Sequence, residues 1–70
     1  MKKIVYANKD IKVKVSFYTM TIKKGVNYEV TRVGSEDIKL TGDDNSYIYV
    51  DVVSFDKLVE KGELKWKHST

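Results

Sequence analysis

A two-residue rhythm constrains this chain more than any other feature. Ile11, Val13, Val15 and Phe17 alternate with Lys12, Lys14, Ser16 and Tyr18. Successive side chains of a strand point to opposite faces, so these residues read as one apolar and one polar face. Met20 and Ile22 continue the pattern. Val26, Tyr28 and Val30 then alternate with Asn27, Glu29 and Thr31, and Ile38 and Leu40 flank Lys39. In the stretch Tyr47–Val53, Ile48, Val50 and Val52 share one face while Tyr47, Tyr49, Asp51 and Val53 share the other. Asp51 draws that second face toward solvent and leaves its two tyrosines partly exposed.

Turn residues punctuate the rhythm. Asn8-Lys9-Asp10 follows a short apolar run at Ile4–Ala7, and Gly25 follows Lys23-Lys24, where positive φ suits a tight turn. Gly34-Ser35-Glu36-Asp37 and Thr41-Gly42-Asp43-Asp44-Asn45-Ser46 separate the later segments. One short helix is expected at Ser54–Glu60. Ser54 would cap it, Asp56 would sit in its first turn, and Phe55, Leu58 and Val59 would form its apolar face. Lys61 and Gly62 suit its C-terminal end. Leu64 and Trp66 alternate with Glu63, Lys65 and Lys67 as a final strand, whose partner must lie earlier in the chain. His68-Ser69-Thr70 is expected to fray.

These elements predict a mostly β fold: one domain over residues 1–70, a small barrel of five to six short antiparallel strands, and one helix near the C-terminus. Closure into a barrel would remove the free edges on which short valine-rich strands aggregate. At 70 residues the interior is thin. A chain this short buries about 60% of its unfolded surface, so its only tryptophan, Trp66, is expected in the core.

The segment Thr21-Ile22-Lys23-Lys24-Gly25-Val26-Asn27-Tyr28-Glu29-Val30 resembles a loop-and-strand segment of small SH3-like β-barrel proteins from phages and Gram-positive bacteria. The pattern is threonine, an aliphatic residue, glycine, tyrosine and valine at fixed spacing, and the resemblance spans residues 11–60. It implies an SH3-like barrel and a binding module, with a phage origin and a host protein as target. It carries over no catalytic residue. The chain departs from it in the extra residues 1–8 and in a longer helix and final strand.

Reactive chemistry finds little material. There is no cysteine, so neither a disulfide nor a thiolate metal site can form. The only histidine is His68, near the end of the chain. Asp43, Asp44 and Asn45 offer oxygen ligands, but an EF-hand count from Asp43 places Tyr47 at position 5 and Ser54 at position 12, which fails. Glu36-Asp37 and Asp43-Asp44 lie in loops where water would solvate them, and no phosphate-cradling glycine pattern exists. No catalytic residue, metal or cofactor is expected, and the chain does not read as an enzyme. The opening apolar run is four residues, too short for a signal peptide, and no stretch reaches a membrane span. A soluble, unprocessed, cytoplasmic protein without membrane contact is expected.

Two binding readings remain. Net charge is +3, but residues 1–25 hold seven lysines against Asp10, while residues 26–70 hold six basic groups against nine acidic ones. In the first reading the partner is another protein, met by Tyr47, Tyr49 and Tyr18, since tyrosine buries large area at low entropic cost. In the second the partner is single-stranded nucleic acid. Lys12, Lys14, Lys23 and Lys24 would hold phosphates, and Tyr18 beside them would stack a base.

Overall fold

The alternating segments become strands in the computed structural model, which describes residues 3–15 and 17–67. The order is β1 (Ile4–Ala7), β2 (Ile11–Val15), β3 (Tyr18–Ile22), β4 (Tyr28–Arg32), β5 (Asp37–Gly42), β6 (Tyr47–Asp51), α1 (Val52–Glu60) and β7 (Leu64–Lys67). Five strands form one curled antiparallel sheet, a half-barrel, in the order β6-β5-β4-β1-β7. The other two, β2 and β3, pair only with each other. The fold is mostly β with one short helix, as the rhythm predicts. Among the described residues it holds seven strands where five or six were expected, for two reasons. The alternation from Ile11 to Ile22 folds back on itself as a hairpin, and Ile4–Ala7 is a full strand, lying between β4 and β7. The final strand finds its partner there, with Val5 opposite Trp66 and Ala7 opposite Leu64.

The hairpin corrects the expected polar face. Val15 pairs with Tyr18 across a two-residue connection, which puts Tyr18 on the side of Ile11 and Val13, not with Lys12 and Lys14. Phe17, expected on the apolar face, lies in that connection and is 97% exposed. A turn resets the alternation because its residues belong to neither strand. Ser16, expected on the lysine face, and His68-Ser69-Thr70, expected to fray, lie outside the described residues.

The core gathers on the inner face of the curled sheet. Val5, Tyr28, Leu40 and Leu64 are fully buried, with Ile38, Ile48 and Val50 beside them. Phe55 of α1 and Ile11, Val13 and Ile22 of the hairpin cover this face. Burying each aliphatic side chain contributes about 1.5–3 kcal/mol. The Tyr28 hydroxyl, buried with its ring, accepts from the Lys23 amide at 2.8 Å, so its burial leaves no polar atom unpaired.

The helix begins earlier than its sequence suggests. Asp51, extended at φ −74° and ψ 152°, is the N-cap, and its carboxylate accepts from the Ser54 amide at 3.0 Å. Ser54 is therefore inside the helix, the first turn holds no acidic residue, and Val52 and Val53 are helical. Their β-branched side chains look like strand residues, but an aspartate three residues before an amide supplies the stronger local bond. The far end matches expectation. The Gly62 amide donates to Val59 O at 3.0 Å and the Glu63 amide to Leu58 O at 2.9 Å, a Schellman closure that needs the positive φ of 78° at Gly62. Gly42 is required for space, since a Cβ there would fall 2.9 Å from Val26 Cγ1 and closer still to the Asp44 carboxylate. No helix among the described residues is long and apolar enough to cross a membrane.

Candidate functional site

Strand register decides which side chains can act together. Thr41 pairs with Tyr47 and Lys39 with Tyr49, which places these four on the outer face of the sheet, opposite Ile48 and Val50. Tyr47 is 55% exposed and Tyr49 39%. Their rings meet edge to face, centroids 5.8 Å apart at 80°, and Lys39 Nζ stands 5.0 Å from the Tyr47 centroid. Such a ring pair is worth about 0.5–1.5 kcal/mol and an exposed cation–π contact about 0.5–1 kcal/mol. The three side chains thus contact one another on one strand pair and form a continuous exposed surface. Lys39 is the member the sequence reading missed. Its signal was present, because a lysine on a strand beside an aromatic strand can reach across the ladder.

The sequence grouped Tyr18 with these tyrosines. The structure places it in the other sheet, near the tip of the β2–β3 hairpin and 72% exposed. Trp66 also departs from expectation, being 39% exposed. It is on the inner side, opposite Val5, and meets the buried Phe55 ring edge to face at 5.7 Å. However, β7 is an edge strand, so no further strand covers the outer side of the indole.

The four lysines of the nucleic-acid reading divide into two pairs. Lys23 Nζ lies 3.4 Å from the Asp44 carboxylate, and the Lys24 amide donates to the Asp10 carboxylate at 2.8 Å. Ser46, through its hydroxyl and its amide, holds the Asp44 carboxyl below the usual carboxylate range. That aspartate serves the turn, as its residue type predicts. Lys12 and Lys14 instead line a groove of about 310 Å³ against α1, together with Val13, Val50, Asp51, Ser54, Lys57, Leu58 and Lys61. Tyr18 stands on the opposite side of the hairpin from these two lysines, so the expected charge-plus-ring arrangement is not assembled. Lys57 and Lys61 were not singled out from the sequence, although their i, i+4 spacing places them on one helix face.

Among the described residues no three His, Cys, Asp or Glu side chains gather as a metal site requires. No protein-family model, curated protein or solved structure matches the chain.

Proposed function

We propose that this chain is a non-catalytic protein-binding module of SH3-like build, acting in the cytoplasm, with the outer face of β5 and β6 as its contact surface. The observation that carries the reading is the exposed Tyr47–Tyr49 pair with Lys39 over it. Exposed aromatic rings on a rigid sheet are the usual makings of an interface hot spot, because area is gained at low entropic cost. The curl of the five-stranded sheet supports the SH3-like assignment. The Thr21–Val30 resemblance supports a phage-type setting in which the target is a host protein. Single-strand binding is the weaker reading here, for want of a ring beside Lys12 and Lys14.

The test is affinity capture from a bacterial host lysate with wild-type protein and with the Tyr47→Ala/Tyr49→Ala double variant. A discrete protein held by the wild type and weakened roughly tenfold or more in the variant supports the proposal. Equal capture by both removes the tyrosine face from the account. A low-salt gel shift with single-stranded DNA and RNA decides the other reading.

A further inference from the structure

The groove between β2 and α1 shares no lining residue with the tyrosine face. Consecutive residues of a strand point to opposite faces, yet Lys12, Val13 and Lys14 all line the groove. A cavity touched by three successive residues runs along the edge of a strand, not over one face. Among the described residues β2 is hydrogen-bonded only to β3, so the backbone of its other edge is unpaired, although β6 packs nearby and supplies Val50 and Asp51 to the groove. Its backbone is therefore placed to accept one more strand.

The side chains around the edge set the sign of what can dock. Lys12 and Lys14 stand on the β2 wall, Lys57 and Lys61 on the helix wall. None of the four is in an ion pair among the described residues. The one carboxylate of the lining, Asp51, accepts from the Ser54 amide and also feels the charge of Lys57, so the lining keeps four positive groups against one negative. Lys57 and Lys61 repel each other at i, i+4, and Lys12 and Lys14 repel along one strand face. Four like charges facing one groove are a local cost that an acidic ligand would relieve. The floor, Val13, Val50 and Leu58, is aliphatic, and no aromatic ring lines the groove. Single-stranded nucleic acid draws much of its affinity from base stacking on aromatic side chains. A peptide alternating carboxylate and aliphatic side chains matches both walls and floor.

We propose that the β2–α1 groove binds an extended acidic segment of a partner protein, paired to the free edge of β2 with its carboxylates on Lys12, Lys14, Lys57 and Lys61. The probe is a fluorescently labelled synthetic peptide of alternating Glu and Val, followed by anisotropy at low salt. Binding should weaken roughly tenfold or more in Lys14→Glu/Lys57→Glu, and stay within about twofold of wild type in the control Lys65→Glu, which lies on β7 away from the groove. Circular dichroism establishes that each variant is folded. The same peptide N-methylated at alternate amides should lose binding with its charge intact, since strand pairing is then blocked. Three results overturn the proposal: no binding of the peptide, equal weakening by the Lys65 control, or tighter binding of oligo-dT than of the peptide at equal salt. None of these touches Tyr47 or Tyr49, so failure here leaves the tyrosine face standing.

Discussion

The five-stranded sheet and the β2–β3 hairpin are written in the same alternating residues, yet the inner face of the sheet is covered at its centre while the outer end of the hairpin is not. On the inner face of the sheet, Leu40, Ile48 and Val50 are buried beneath α1 and the base of the hairpin. Along the hairpin, Ile22 is fully buried and Ile11 and Val13 nearly so, Met20 is half-buried, and Tyr18 and Phe17 stand in solvent. Pairing is equally regular in both. What differs is the opposing layer: the centre of the sheet has one, and the hairpin outruns its own. Alternation thus specifies a strand, while burial depends on what faces it.

The widest gap between the two regions should appear on removing one large apolar side chain from each. Leu40→Ala leaves a cavity under the sheet and should cost about 2–5 kcal/mol, enough to unfold much of so small a domain. Phe17→Ala at the hairpin tip should change stability by no more than about 0.5 kcal/mol. Urea unfolding of the two variants measures both. Similar losses would mean that the tip is folded onto the core in solution, and the contrast between the regions would collapse.

The same contrast explains what could be read from the chain. Strand identity was legible at Ile11–Val15, Tyr28–Arg32 and Tyr47–Asp51 because periodicity is local. The turn at Asp43–Ser46 and the close of α1 at Gly62 were legible because their residue types perform the local bonding. The reversal between Val15 and Tyr18 was hidden, since the apolar rhythm continues from Val15 to Phe17 without a glycine, proline, asparagine or aspartate to break it. Its consequence, Tyr18 on the far side from Lys14, was hidden with it. The cap at Asp51 was obscured by Val52 and Val53. Lys57 and Lys61 became groove residues only because α1 lies across the groove from β2, a tertiary fact that no spacing along the chain contains.

A smaller effect should separate the regions by location. Ser54, through its hydroxyl and its amide, keeps the Asp51 carboxyl below the ordinary carboxylate range. A pKa lowered by folding adds stability that is whole above the unfolded value, about 3.9, and is lost as pH falls through the folded one. Asp51→Ala should cost about 1 kcal/mol at neutral pH, and the gap to wild type should narrow in acid. Asp51→Asn, a comparable cap without the titrating charge, should keep most of the stability and lose the pH dependence. Because α1 covers the sheet, amide exchange should quicken in α1, β5 and β6 and stay unchanged in the outer part of the hairpin. Uniform quickening would show the two regions to be one cooperative unit.

The smallest effect concerns charge across the ladders. In the hairpin each lysine of β2 faces a neutral residue, Lys12 opposite Thr21 and Lys14 opposite Thr19. In the sheet, Asp37 faces Asp51 directly, and like charges so placed repel. The sheet can hold that repulsion because its register is fixed elsewhere by Ile38 opposite Val50 and Leu40 opposite Ile48. Asp37→Asn should therefore raise the unfolding free energy, read from urea titration, by a few tenths of a kcal/mol at neutral pH, and by nothing once both carboxyls are protonated. In an Asp51→Asn background the gain should vanish, because the opposing charge is already gone. Thr19→Lys, which creates the matching repulsion in the hairpin opposite Lys14, should cost more than Asp37→Asn recovers, since the hairpin has fewer buried pairs to hold its register. An equal and opposite change in the two places would mean that the hairpin is as firmly registered as the sheet, despite the difference in what covers them.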